Sequence, residues 1–293
     1  MSKNDGKIVV VTGATGHQGG AVARRLLDSG FTVKGLTRTT DSPESAELSR
    51  LGARMVKCDL NDADAARRAL DGAWGAFGVF AMGPGGAQQE ETQAANFAKQ
   101  AKAAGVEAYV YSSVASAHRK TGIPHFENKW RVENIVRGLG FKTYTILRPV
   151  FFMENFTGPW MWPGIMQGKL SAALSPATRL QMVAVEDIGA YGLMAFEKTA
   201  ELNRAEIELA GDELTMPQAA AIIENALGKK VQFETLPIES VRKFSADMAT
   251  MYEWFDRVGL NVDIKAVNAK YNFRPATFSQ WAAKVKWPVP VRS

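Results

Sequence analysis

The sequence predicts an α/β chain built on a doubly wound parallel sheet, and three observations carry that prediction. Strand-like and helix-like segments alternate from residue 7 to residue 148, as in a parallel sheet covered on both faces. The first strand runs straight into a glycine turn, IVVVTGATGHQGG at 8–20, and the helix-like AVARRLLDSG follows it. A chain of 293 residues with 46% hydrophobic content is also long enough and apolar enough to bury a large core in one or two domains.

Taken in order, the strands are expected at 7–12, 31–37, 53–57, 76–81, 108–112 and 143–148, with helices near 18–29, 42–51, 62–71, 88–104 and 126–138. The third strand closes on Lys57-Cys58-Asp59-Leu60, after which Asn61 or Asp62 supplies a helix cap. No internal repeat or low-complexity tract interrupts the alternation. Beyond Pro149 it weakens, and Phe, Trp, Met and Pro accumulate, which marks the start of a smaller region. A strand-like stretch at 181–185 followed by Glu186-Asp187-Ile188-Gly189 reads as a return to the first domain. The expected division is therefore 1–156, with a return near 181–200, and an interleaved α/β region at 157–293.

Composition narrows the function classes. Net charge is +5, from 35 basic and 30 acidic residues without long basic runs, which favours a phosphate-bearing ligand over direct contact with nucleic acid. The single Cys58 excludes an intramolecular disulfide, and one Cys with three scattered His offers no metal spacing. No apolar run is long enough to span a bilayer, and MSKNDGK leads directly into the first strand without a signal peptide, so a cytoplasmic address is expected.

The glycine turn is the first candidate site. Gly13 permits the tight turn, Gly16 lets the backbone approach a pyrophosphate, and Gly19 packs the helix on the strand while the helix N-terminus faces the anion. The turn after the second strand then selects the cofactor. NAD binders place an acid there for the ribose hydroxyls, whereas Leu36-Thr37-Arg38-Thr39-Thr40 carries no acid until Asp41. A guanidinium at Arg38 with hydroxyls at Thr39 and Thr40 suits a phosphate dianion, so NADP(H) is the expected cofactor. Asp59, at the tip of the third strand, is placed to receive the adenine amine or else to cap the next helix.

Ser112-Ser113 closes the fifth strand, and His125-Phe126-Glu127-Asn128-Lys129-Trp130 opens a helix. Short-chain dehydrogenases carry a Ser and a Tyr-x-x-x-Lys pair at this location; Lys129 keeps the lysine, and His125 occupies the tyrosine position. Together GATGHQGG, the Arg38 loop, Asp59-Leu60, HFENK and LRPVFFMENF resemble the NmrA-like branch of the atypical short-chain dehydrogenases, over nearly the whole chain. The resemblance implies a Rossmann-type domain that binds NADP through Gly13, Ala14, Thr15, Gly16, His17 and Gln18, residues 38–42, Asp59, Leu60, Lys129, and Phe152, Met153, Glu154 and Asn155. Gly19, Ala81, Met82 and Ser112 complete the expected cofactor set. That family contains NADP-sensing regulators as well as NADPH-dependent quinone, dye and phenylpropanoid reductases, and its sensor-like members also lack the tyrosine.

His125 and Lys129, four apart on a helix, share a face. If Lys129 contacts the ribose, His125 points toward the nicotinamide and is chemically competent to protonate a reduced oxygen. The alternative is a helix-entry residue with no catalytic duty. Phe151, Phe152, Met153, Phe156, Trp160, Met161 and Trp162 suit a planar, apolar acceptor, or else ordinary core packing. Phe244, Met248, Met251, Tyr252 and Phe255 have helical spacing and are expected to form a lid or to dock on the core. The expected function is an NADPH-dependent reductase of a hydrophobic carbonyl, enone or quinone. An NADP(H)-sensing regulator acting through protein contacts is the alternative, and a homodimer or a regulatory protein partner is left open.

Overall fold

Four β-branched residues, Ile8–Val11, form β1, an interior strand of the main sheet buried on both faces. The computed structural model describes residues 4–83 and 85–287. After β1 come α1 (His17–Asp28), β2 (Thr32–Thr37), α2 (Pro43–Arg50), β3 (Arg54–Lys57), α3 (Ala63–Leu70), β4 (Gly75–Gly78), α4 (Gly86–Ala103), β5 (Ala108–Ser112), α5 (Pro124–Gly138) and β6 (Thr143–Pro149). Side-chain caps explain the crisp helix starts. Ser42 Oγ accepts from the Ser45 amide, and Asp62 Oδ1 accepts from the amides of Asp64 and Ala65, so Asp62 rather than Asn61 is the cap.

The chain continues through β7 (Phe151–Phe152), α6 (Trp162–Met166), β8 (Lys169–Ala172), β9 (Arg179–Val183), α7 (Val185–Glu197), β10 (Ala205–Leu209), β11 (Asp212–Thr215), α8 (Met216–Leu227), β12 (Gln232–Thr235), α9 (Ile238–Phe244), α10 (Ala246–Arg257), α11 (Ile264–Tyr271) and α12 (Phe278–Lys284). Seven strands make one sheet in the order β10-β6-β5-β4-β1-β2-β3, with β1 to β6 parallel. The order reverses between β1 and β4, the arrangement of a Rossmann-type doubly wound fold.

Two compact units result. The first comprises Met1–His118, His125–Arg148 and Val185–Ile207, and the second comprises Arg119–Pro124, Pro149–Ala184 and Glu208–Ser293. The crossings fall at 148 and 185 rather than at 156 and 181, because Phe151 and Phe152 pair with Met182 and Val183 in a separate sheet, β11-β9-β7. α7 belongs to the first unit because its glycines let it press on α1. A Cβ at Gly189 would lie 3.0 Å from Ala21, and one at Gly192 would lie 2.7 Å from Val22.

Two expectations change. The fourth strand ends at Gly78 instead of 81, since residues 79–83 leave the sheet and line a cleft. The run from Phe244 to Phe255 is not one helix: Phe244 ends α9 and is exposed, while Met251, Tyr252 and Phe255 are buried on α10. In the second unit Met153, Phe156 and Met161 are core residues, and Phe156 packs 4.9 Å from Phe278 between ring centroids.

Candidate functional site

In a parallel sheet every strand delivers its C-terminal end to the same edge, and ligands settle where the strand order reverses. Here Thr12 holds that edge together. Its hydroxyl donates to the Val79 carbonyl at 2.7 Å and accepts from the Val79 amide at 2.8 Å, tying the end of β1 to the end of β4. Above this clamp lies a cleft of about 820 Å³, lined by residues from the turns after β1, β2, β3 and β4 and from the start of α4.

The three glycines have three different reasons to be glycine. Gly13 has φ +56°, a left-handed conformation that a side chain strains. At Gly19 a Cβ would sit 2.3 Å from the Gly13 carbonyl oxygen, so the helix cannot pack on the turn with any larger residue. Gly16 is extended, with φ −93° and ψ 176°, and a Cβ there would meet only the Gly13 oxygen, at 3.3 Å. The backbone at 16 suits any residue and that one contact is tight rather than prohibitive; the glycine lines the cleft as the cap residue of α1 and leaves the helix end open. The first turn of α1 also holds no acid and receives no side-chain cap, so its N-terminal field is uncompensated.

The second turn is shaped by Thr37, which the sequence reading did not single out. Its hydroxyl donates to the Thr39 carbonyl and lies 3.3 Å from that of Thr15, drawing the loop tight around a buried oxygen. Arg38 is left exposed on the cleft wall, and among the described residues it makes no hydrogen bond or ion pair. Ser42 and Glu44 share that end of the cleft; the Glu44 carboxyl is held low by hydrogen bonds from its own backbone and from Ser42.

At the third turn, Asp59 Oδ1 accepts from the Asn61 amide at 2.9 Å and from Asn61 Nδ2 at 2.8 Å. Asn61 Oδ1 in turn accepts from Gln89 and Gln93 of α4, at 3.2 and 2.9 Å. Asn61, Gln89 and Gln93 were not expected. Gln89 and Gln93 stand four apart on one helix face, the only sequence signal that they act together. Cys58 also lines the cleft; burial raises its thiol pKa, and the charges of Asp59 and Asp62 raise it further against Arg68.

Of the expected residues, Gly13, Thr15, Gly16, Arg38, Thr39, Asp59, Leu60, Ala81 and Met82 line this cleft. Ala14 is fully buried and its amide donates to the Leu36 carbonyl, so it supports the turn from beneath. Gly19 has the packing role described above. Ser112 Oγ donates to Gln18 Oε1 at 2.6 Å, joining the end of β5 to the first turn of α1. His17, Gln18, Thr40 and Ser112 are not among the lining residues.

Lys129 stands behind the cleft wall on α5, donating to the carbonyl of cleft-lining Phe80 at 3.4 Å and to Glu90 of α4. His125, one turn earlier, is half-buried with its ring edge-on to Phe126. Phe152, Met153, Glu154 and Asn155 belong to the second unit, where Glu154 accepts from the Trp281 indole at 3.1 Å. Among the described residues no cluster of His, Cys, Asp and Glu could hold a metal ion, and no helix is long and apolar enough to cross a membrane.

Residues 5–282 match the NmrA-like family. The NmrA-like family domain-containing oxidoreductase himF of Aspergillus japonicus is 36% identical over 165 residues, covering 53% of this chain and 50% of that protein. The chain spans about half the length of the curated relatives that head the comparison. Among solved structures, NmrA, a negative transcriptional regulator in complex with NADP, superposes with a TM-score of 0.80 at 21% identity, over 97% of this chain and 96% of that one. An Escherichia coli NADPH-dependent quinone oxidoreductase complexed with NADPH gives 0.79 at 22% identity, over 94% and 98%. At such identities the structures establish likeness of fold, while the match over residues 5–282 decides membership. The chain belongs to the NmrA-like family.

Proposed function

We propose that this chain is an NADPH-dependent reductase of a hydrophobic, planar carbonyl, enone or quinone. The observation that carries the reading is Arg38, which makes no hydrogen bond or ion pair among the described residues, at one end of a cleft where Gly16 leaves the end of α1 open. The open first turn of α1 would receive the pyrophosphate, and Arg38 with Thr39 the 2′-phosphate. Asp59 would meet the adenine amine through its second carboxylate oxygen, because its first is engaged by Asn61. Lys129 would hold the nicotinamide ribose. When bound, the cofactor supplies a hydride.

The proton that completes the reduction comes from His125 or from water. The partly exposed Phe151, Phe152, Trp160 and Trp162 of the second unit suit a flat apolar acceptor. Names within the family agree with an oxidoreductase, as for the Aspergillus japonicus relative. The likeness to a regulator complexed with NADP supports a second reading, an NADP(H) sensor whose output is a protein contact.

The test is NADPH oxidation by purified protein against quinones, enones and aldehydes. Turnover is expected with at least one planar acceptor, and Lys129→Ala should weaken NADPH binding and slow turnover together. If His125 supplies the proton, His125→Ala will keep NADPH affinity and lower turnover about a hundredfold or more. Full turnover in His125→Ala leaves water as the donor. Absence of oxidation across the panel overturns the reductase reading in favour of the sensor, to be tested by partner capture with and without NADPH.

A further inference from the structure

The pairing of Lys129 is unusual for a surface lysine. Its side chain is 13% exposed and that of Glu90 only 4%, so an ammonium and a carboxylate are both largely withdrawn from water. Such a pair holds only if each charge keeps its partner, and losing one leaves the other stranded. Glu90 makes no other hydrogen bond or ion pair among the described residues, and Lys129 makes one more, to the Phe80 carbonyl. An ammonium has three donors. Two are spent on fixed acceptors, which pins the head group and leaves one for a ligand hydroxyl.

The element that carries Glu90 gives this pin a reach. Gln89 and Gln93, beside it on α4, line the cleft and hold Asn61, while the Asn128 amide donates to the Ala87 carbonyl at 2.8 Å and ties α5 to the same turn of α4. Lys129 is thus fixed by the cleft wall itself.

We infer that Glu90 is the positioning residue for Lys129, orienting its remaining donor toward the nicotinamide ribose of bound NADPH. The inference rests on the reading that Lys129 contacts that ribose. Without the carboxylate, the four-carbon stem samples other rotamers and the contact is lost even though the lysine remains.

Two ligands separate positioning from mere support of α4: NADPH, and adenosine 2′,5′-bisphosphate, which lacks the nicotinamide half. Dissociation constants are measured by calorimetry for wild type, Glu90→Ala, Lys129→Ala and the double variant. Glu90→Ala and Lys129→Ala should each weaken NADPH about tenfold, the double variant no more than either, and none should change the bisphosphate. Glu90→Gln, which keeps the volume and an acceptor oxygen, should recover part of the loss and serves if Glu90→Ala does not fold. Equal weakening of both ligands by Glu90→Ala or Glu90→Gln, or multiplicative losses in the double variant, overturns the inference in favour of a structural role. Wild-type NADPH affinity in both Glu90 variants, with Lys129→Ala impaired, overturns it and spares the ribose contact. Wild-type affinity in Lys129→Ala removes the ribose contact and the inference together.

Discussion

Gly16 and Gly19 stand three residues apart in one turn and should fail in opposite ways. A side chain at 19 collides with the Gly13 carbonyl, so Gly19→Ala is expected to cost about 1–3 kcal/mol of stability as the turn shifts. At 16 the backbone is ordinary and an added Cβ would meet only the Gly13 oxygen, at 3.3 Å, a contact that a shift of a few tenths of an ångström relieves. Gly16→Val should therefore melt within roughly 1 kcal/mol of wild type while its isopropyl group fills the place a pyrophosphate would take. Thermal unfolding and NADPH titration of both variants check the contrast; near-native affinity in folded Gly16→Val would put the nucleotide elsewhere.

Where α5 crosses the end of β6, a second buried ion network holds the first unit. Glu133 is fully buried and accepts from Arg148, Arg137 and the Ser113 hydroxyl, while Glu206 on β10 closes the group from the other side. The guanidinium of Arg137 also lies 4.5 Å from the Trp130 ring centroid. Glu133→Ala would leave Arg148 buried without its main partner, an expected loss of about 3–5 kcal/mol by chemical denaturation.

Glu206 adds a pH dependence to that network. Burial pushes its carboxyl upward, but hydrogen bonds and charge from Arg137 and Arg148 outweigh burial and hold it below the ordinary value of 4.5. A depressed carboxyl stabilises the fold fully above its unfolded pKa and less as pH falls through the folded one. The stability difference between wild type and Glu206→Gln should therefore be constant near neutrality and shrink below pH 4.5. A difference that grows with acid would contradict the assignment.

Ligand linkage extends these local arguments to the stability of the entire chain. A cofactor that binds only the folded protein should stabilise it by about 2.7 kcal/mol at a hundred times its dissociation constant. NADPH is expected to raise the melting temperature more than NADH at equal concentration. Arg38→Ala should erase most of that gap, a loss of about 1.5–3 kcal/mol for a charge-assisted phosphate contact. Equal shifts from the two cofactors in wild type would remove the case for Arg38 as a phosphate ligand.

Strands β1 to β6 and helices α1 to α5 were legible because their signals are local. β-branched runs make strands, a capping residue was expected at Asn61 or Asp62 and Asp62 supplies it, and Gly13 needs a left-handed turn wherever the chain later goes. Thr15, Arg38, Asp59 and Met82 were legible for a related reason: each follows a strand, and a parallel sheet sends every such position to one edge. Partners distant in sequence were not legible. Thr12 meets Val79 across 67 positions, Lys129 meets Glu90 across 39, and Asn61 meets Gln93 across 32. Helix periodicity places Glu90 and Lys129 on their helices, but it does not say which helix faces pack. Strand order and the seating of α4 against α5 decide that, so the charge pairing behind the cleft exists only once the chain is folded.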